Sequence, residues 1–150
     1  NLINPIKDNE GFEITLEKYS QKYCKSIYFL QSKQNREFLS NKKTFSYVKH
    51  KIYLNSFLKV SKNHLFVILK KNKFVGYIKF TKFQNYYDIS IMLEKKFRNR
   101  SIATKVLKYF KQNKILSMDI KAKVAKKNIS SIRAFKKAGF KINKSLKILN

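Results

Sequence analysis

Cysteine, glycine, proline and acidic residues are all scarce in this chain of 150 residues. The single cysteine, Cys24, excludes an internal disulfide, and its place on an apolar helical face predicts a buried, unreactive thiol. Three glycines and one proline exclude a fibrous or low-complexity chain. No apolar run approaches the length of a membrane span and no signal peptide is visible, so we expect a cytoplasmic protein without a membrane partner.

The acidic residues number eight against 35 lysines and arginines, which gives a net charge of +27. Such a charge favours an anionic partner, which could be nucleic acid, the ribosome, a membrane surface or a phosphorylated ligand. The lysines, however, are spread from end to end and accompany many Asn and Ile residues, as an AT-rich genome would favour. We therefore interpret most of the charge as compositional drift, which disfavours nucleic acid as a partner without excluding it.

The hydrophobic pattern predicts an α/β chain with a single domain over residues 12–150, in which helices cover both faces of a mixed sheet. Residues 1–11 are polar and are predicted to be a linker or N-terminal extension. The second helix is predicted to turn Val48, Ile52 and Phe57 to one side. The predicted strands are 12–15, 64–70, 74–80, 86–94, 118–125 and one or two within 140–149, and the predicted helices are 18–32, 46–58, 102–110 and 128–139.

The segment KKFRNRSIATKVLKYF, from Lys95 to Phe110, holds two of the four arginines within three residues. It reads as a strand end, a polar turn and a helix, and the free amides and dipole of a helix start form a site for phosphate. Arg98 and Arg100 would flank this site as forked phosphate ligands, and the small Ser101 would let a pyrophosphate approach the backbone. Taken alone, the segment could equally be an ordinary basic loop before a helix.

Two motifs together resemble the GNAT superfamily of N-acetyltransferases. RNRSIAT is similar to the acyl-CoA-binding loop of that family, Gln/Arg-x-x-Gly-x-Gly/Ala, with Arg98 first, Ala103 last and Ser101 in place of the middle glycine. Further on, NISSIRAFKKAGF resembles the second signature of the family. The resemblance covers about residues 66–140, and it points to the branch of ribosomal-protein N-terminal and nucleotide amino-sugar acetyltransferases. The positions that match the second signature are Asn128, Ser131, Phe135, Gly139 and Phe140.

The resemblance implies a GNAT-like fold with a mostly antiparallel sheet, splayed between its fourth and fifth strands. Acetyl-CoA would lie in the opening as co-substrate, and no metal is expected. The main chain of Met92 and Leu93 would pair with the pantetheine arm, and amides from Arg100 to Thr104 would hold the pyrophosphate. The cofactor-contacting residues that the resemblance implies are Met92, Leu93, Arg98, Asn99, Arg100, Ser101, Ile102, Ala103, Thr104, Asn128, Ser131 and Phe135.

The family mechanism is direct attack of a primary amine on the thioester, so a base must take the proton of the amine. Asp88 is the favoured base, because it stands where many relatives carry Glu, and Glu37 is the second candidate. Glu94 is interpreted as a surface carboxylate. His50 is expected either to contact the acceptor or to pack in the core, and His64 is expected to be solvated.

Two features of the last predicted helix leave alternatives open. Many relatives carry a Tyr where this chain has Phe135, and its hydroxyl protonates the departing thiolate. Arg133 could reach the phosphates of the nucleotide or lie on a solvated face. The phenylalanine therefore keeps open a catalytically weak CoA-binding domain.

The sequence thus predicts an acetyl-CoA-dependent N-acetyltransferase. The leading acceptor is a small amine, with a nucleotide-linked amino sugar ahead of a protein N-terminus or lysine. The alternatives are a weak CoA-binding domain and a basic module that binds nucleic acid or the ribosome. A homodimer or attachment to a further domain also stays open.

Overall fold

The computed structural model describes residues 6–38, 46–113, 116 and 118–150, without the side chains of residues 34–38. Within these residues, seven strands form one sheet whose spatial order follows the chain. The strands are β1 (Ile6–Lys7), β2 (Glu13–Lys18), β3 (His64–Lys70), β4 (Lys73–Lys82), β5 (Tyr86–Leu93), β6 (Asp119–Ala125) and β7 (Leu146–Leu149). The helices are α1 (Cys24–Phe38), α2 (Tyr47–Lys59), α3 (Ile102–Asn113) and α4 (Ile129–Lys137).

The sheet is mixed and opens at one boundary. Strands β1 to β5 pair antiparallel, whereas β5 pairs parallel with β6 and β6 pairs parallel with β7. The β5–β6 pairing runs from Tyr86–Asp119 to Ile89–Ala122 and stops there, while β6 continues along β7. The predicted mixed, mostly antiparallel sheet and its splay are therefore confirmed. The splay falls one strand later in the count because β1 precedes the first predicted strand.

Helices pack on both faces of the sheet, as predicted. One face carries α3 and α4, whose Ile102, Val106 and Phe135 are buried in the larger apolar core. The other face carries α1 and α2, and the smaller core there contains Leu54 and the buried Cys24. Among the described residues, no helix is long and apolar enough to cross a membrane.

The inner face of α2 differs from the prediction. Its buried residues are His50, Leu54 and Phe57, which follow one another at helical spacing. Val48 and Ile52 are instead 66% and 60% exposed. The prediction was wrong at these two positions because it assumed that apolar side chains turn inward, whereas a histidine occupies that place.

Part of the N-terminal segment belongs to the sheet. Ile6 and Lys7 pair with β2, although the sequence placed them in a linker or extension. The buried Asp8 carboxylate accepts hydrogen bonds from the amides of Glu10 and Phe12, both at 2.9 Å, and lies 2.8 Å from the Lys70 ammonium. Burial opposes ionisation of Asp8, but the ammonium and the two amides outweigh it and hold its pKa below the usual value. This buried ion pair ties the turn after β1 to the end of β3.

Glycine is required where β4 meets the end of β5. Val75 is the extra residue of a bulge in β4, since Phe74 pairs with Leu69 and Gly76 pairs with Ile68. A Cβ at Gly76 would overlap the main-chain oxygen of Met92. The missing side chain therefore lets β4 approach β5 closely, next to the place where β5 loses its other neighbour.

Candidate functional site

A cavity of about 270 Å³ lies at the opening of the sheet between β5 and β6. The end of β5, the loop and first turn of α3, and one face of α4 line it. Both sequence motifs therefore meet at one cleft, although they are separated along the chain. The lining residues are Ile91, Met92, Leu93, Arg98, Asn99, Ser101, Ile102, Ala103, Thr104, Asn128, Ser130, Ser131, Arg133, Ala134 and Lys137.

The exposed edge of β5 offers main-chain groups to this cleft. The Glu94 amide donates to the Val75 carbonyl of β4 at 2.8 Å. In an antiparallel pair, the main-chain amides of successive residues point alternately towards and away from the neighbouring strand, so the amide of Met92 also points towards β4. The amides of Ile91 and Leu93 then face the side where β6 no longer pairs. The prediction for the main chain of Leu93 fits this geometry, whereas that for Met92 does not. Ile91 has the position that the sequence assigned to Met92.

The loop before α3 has a left-handed backbone at two residues. Asn99 has φ 62° and Ser101 has φ 63°. Asn tolerates this region better than most residues, but for an ordinary L-residue a left-handed conformation costs roughly 1–2 kcal/mol. The middle position of the loop thus favours glycine for its backbone angle, and the serine at 101 retains the conformation at some cost.

The N-terminal segment holds this loop in place through three contacts, which we call the N-terminal clasp. The Arg100 guanidinium lies 2.8 Å from the Glu10 carboxylate, and the Asn9 amide donates to the Arg100 carbonyl at 3.3 Å. The Lys105 ammonium donates to the Lys7 carbonyl at 2.6 Å. The Arg100 side chain therefore points to a carboxylate outside the cleft, and not to the predicted phosphate site.

Arg98 does line the cleft, and it also supports the loop. Its Nε donates to the Leu93 carbonyl at 3.2 Å, across the turn that joins β5 to α3. One side of the guanidinium thus fixes the strand end, and the group borders the opening. Arg98, unlike Arg100, therefore borders the cleft in which the sequence predicts a phosphate.

Two helix starts converge on the cleft. The Ser101 carbonyl accepts from the Lys105 amide at 3.1 Å, so the amides of the first turn of α3 precede the intrahelical ladder and have no partner within it. Asn128 caps the start of α4, and its side chain accepts from the Ser131 amide at 3.2 Å. The starts of both helices border the opening, and the positive ends of their dipoles suit an anionic ligand there.

Helix α4 contributes two cationic side chains to the lining of the cleft, but its Phe135, predicted to contact the cofactor, does not line the cleft. Arg133 and Lys137 are four residues apart, so both face the cleft from the same side of the helix. That spacing is visible in the sequence, yet Lys137 was not predicted. Phe135 is 2% exposed and packs edge-on against Phe140, with ring centroids 5.0 Å apart. It belongs to the core and does not line the cleft.

Asp88 lies on the other face of β5, towards α1 and α2. It is half-buried, and its Oδ1 is buried without a hydrogen-bond partner among the described residues. Burial raises the pKa of this carboxyl, and the nearby Lys123 and Lys79 only partly oppose that effect. A carboxyl with a raised pKa is a stronger proton acceptor than an ordinary aspartate.

His50 lies on the same side of the sheet, on α2. The residue is 5% exposed, its ring centroid is 5.4 Å from that of Tyr28, and its Nε2 has no partner among the described residues. Burial lowers its pKa, and the charge of Lys79 lowers it further, so the imidazole is neutral at physiological pH. The ring packs inside the protein, which is one of its two predicted roles. Its Nε2 could still form a hydrogen bond with a ligand, which is the other predicted role.

The remaining predicted groups have mixed outcomes. The Glu37 side chain lies outside the described residues. The Glu94 carboxylate is partly exposed and lies 4.0 Å from the Lys96 ammonium, as expected of a surface carboxylate. His64 was predicted to be solvated, and this was wrong. It is half-buried, with its ring centroid 5.8 Å from that of Tyr87, because β3 is a central strand.

In the described part of the chain, no three His, Cys, Asp or Glu side chains are grouped to hold a metal ion.

Comparison with known families gives one match. The family described as the acetyltransferase (GNAT) domain matches residues 13–141. A search among curated proteins found no match.

Solved structures share the fold at low sequence identity. Spermidine N-acetyltransferase from Vibrio cholerae, in complex with CoA and spermine, superposes with a TM-score of 0.74 at 14% identity, over 85% of this chain and 80% of that chain. RimJ from Mycobacterium smegmatis, in complex with CoA-disulfide, gives 0.76 at 14% identity, over 94% and 76%. RimL, a ribosomal L7/L12 alpha-N-protein acetyltransferase in complex with coenzyme A, gives 0.73 at 11% identity, over 93% and 84%.

The N-terminal clasp generates a prediction about the loop. Glu10→Gln removes the charge that holds Arg100, so the amides of residues 101–104 should exchange hydrogen faster, as measured by hydrogen–deuterium exchange. Because the ion pair is exposed, the free energy of unfolding should change by less than about 1 kcal/mol. The control Glu13→Gln, at an exposed carboxylate of β2, should leave the loop unchanged. Equal loop exchange in Glu10→Gln and wild type would show that the clasp does not order the loop.

Proposed function

The chain belongs to the GNAT acetyltransferase family, and on this premise we propose that it transfers the acetyl group of acetyl-CoA to a primary amine. The observation that carries the proposal is the opening of the sheet, where unpaired amides of β5 and two helix starts border one cleft. An extended arm with a carbonyl could pair with the strand edge, and a pyrophosphate could bind the helix starts.

The cofactor would be held mainly by backbone groups. The amides of Ile91 and Leu93 would pair with the pantetheine arm and polarise the thioester carbonyl. The first amides of α3 would hold the pyrophosphate, because the left-handed Ser101 presents them towards the cleft. Arg98 would add charge on one side, and Arg133 and Lys137 would add it on the other. A charge-assisted hydrogen bond of this kind contributes about 1.5–3 kcal/mol.

Acetyl transfer needs a neutral amine, since an ammonium has no lone pair. The amine nitrogen forms a bond to the thioester carbon, the carbon–sulfur bond breaks, and the amine loses one proton. Asp88 would take this proton directly or through water, because the residue is partly exposed and its pKa is raised. The departing thiolate would gain its proton from water, since the buried Phe135 has no hydroxyl to give.

The favoured acceptor is a small amine on an anionic carrier, such as a nucleotide-linked amino sugar. The net charge of +27 suits such a carrier, because a basic surface attracts an anionic substrate, although compositional drift explains the charge as well. A protein N-terminus is the second candidate, and the similarity to RimL, an alpha-N-protein acetyltransferase, favours it.

The activity can be tested in two steps. Calorimetric titration at moderate salt should show saturable binding of acetyl-CoA, because the proposed contacts are local and not only a diffuse charge attraction. A thiol-release assay over a panel of amines should then show release that depends on the amine. Binding without turnover on any amine would favour a weak CoA-binding domain, and no binding at millimolar cofactor would refute the proposal.

Asp88→Asn tests the base. A general base acts only when it is deprotonated, so kcat/KM of the wild type should fall as pH drops through the pKa of Asp88, which lies above the usual aspartate value. The variant should lose roughly 10²–10⁴-fold in kcat and also lose this acid limb. The control Asp119→Asn, at an exposed aspartate of β6, should keep both. An acid limb that persists in Asp88→Asn would assign the proton transfer to another group.

A further inference from the structure

Lys79 lies at the centre of the face that carries Asp88. In the register of β4 and β5 it is opposite Ser90, and its next neighbour on the same face, Thr81, is opposite Asp88. Side chains of alternate residues share one face of a sheet, so Lys79 and Asp88 point to the same side. Diagonal neighbours on adjacent strands are roughly 7–8 Å apart, which is within reach of one small substrate.

The Lys79 ammonium is held by aromatic groups and not by a carboxylate. Its Nζ donates to the Tyr53 hydroxyl at 3.1 Å and lies 5.4 Å from the ring centroids of both Tyr53 and Phe57. Among the described residues, no carboxylate lies within ion-pair distance of it. The side chain is half-buried, and its charge lacks a carboxylate partner in the described part of the chain.

The groups around Lys79 favour an anion. His50 contributes a neutral imidazole with a free Nε2, buried beneath the same surface. On β6, Lys121 is the register partner of Asp88, and Lys123 lies on the same face. Three lysines therefore face one carboxylate on this part of the sheet. A polycationic acceptor would meet like charges here, whereas an anionic group would complete the ion pair that Lys79 lacks.

We propose that Lys79, supported by Tyr53, binds a phosphate or carboxylate group of the acceptor, and so selects amines that carry a negative charge. The inference rests on the proposed function, because it assumes that the amine reaches Asp88 from this face. The anionic group would anchor one end of the acceptor at β4, and the amine would extend along the face to Asp88 on β5. Lys79 is thus a specificity-determining residue and takes no part in the proton transfer.

The test compares amines that differ in charge. Thiol release is measured with glucosamine 6-phosphate, muramic acid, glucosamine and spermidine as acceptors, which carry a phosphate, a carboxylate, no anionic group and several positive charges, respectively. The wild type should prefer at least one of the two anionic amines. Lys79→Gln removes the charge and keeps a polar side chain that is one atom shorter, so kcat/KM for the preferred anionic amine should fall about 10–100-fold. The value for glucosamine should stay within about threefold, which is small beside that change.

Two further variants complete the design. Lys73→Gln removes the same charge from the exposed start of β4 and should leave the ratio of anionic to neutral amine unchanged. Lys79→Glu should shift the preference towards spermidine. A wild-type preference for glucosamine or spermidine, or an equal loss for charged and neutral amines in Lys79→Gln, would overturn the inference and leave the acetyltransferase proposal intact. Absence of thiol release with any amine would refute the acetyltransferase proposal itself, and this inference with it.

Discussion

The loss of the β6 partner beyond Ile89 is the constraint on which the rest of the site depends. A strand in the middle of a sheet has main-chain donors and acceptors on both sides, and buried groups of this kind must find partners. At the end of β5 the partner on one side is missing, so Ile91 and Leu93 can bind an extended ligand as a strand would. The bulge in β4 and the side-chain-free Gly76 keep the other side of β5 paired up to this point.

The loop after β5 combines a costly backbone with contacts that hold it. Left-handed residues at 99 and 101 turn the chain so that α3 starts at the cleft. The N-terminal clasp and the Arg98 hydrogen bond to Leu93 fix this turn from two sides. The segment before β2, which pairs with the sheet and is anchored by the buried Asp8, therefore belongs to the support of the site. Strain at one residue is offset by interactions made elsewhere, as is usual where a site needs a special backbone geometry.

Much of this architecture could be predicted from local patterns. The hydrophobic pattern predicted helices over 102–110 and 128–139 and a strand over 86–94, which correspond to α3, α4 and β5. Each of these signals comes from residues close together in the chain. The partner of Arg100 could not be predicted, because Glu10 is ninety positions away and only the fold brings it near. The burial of Phe135 in the core could not be predicted either, because the residue also matches a motif position. The burial of His50 likewise depends on the packing of the whole fold.

CoA should bind in the opening of the sheet, and not through the general positive charge of the surface. Titration of CoA into ¹⁵N-labelled protein, followed by ¹H–¹⁵N chemical shifts at moderate salt, distinguishes these two modes of binding. If CoA binds in the opening, the largest saturable shifts should occur at the amides of Leu93, Ser101 to Thr104 and Ser131. Small shifts spread over lysine-rich surface, or shifts concentrated away from β5, α3 and α4, would contradict it.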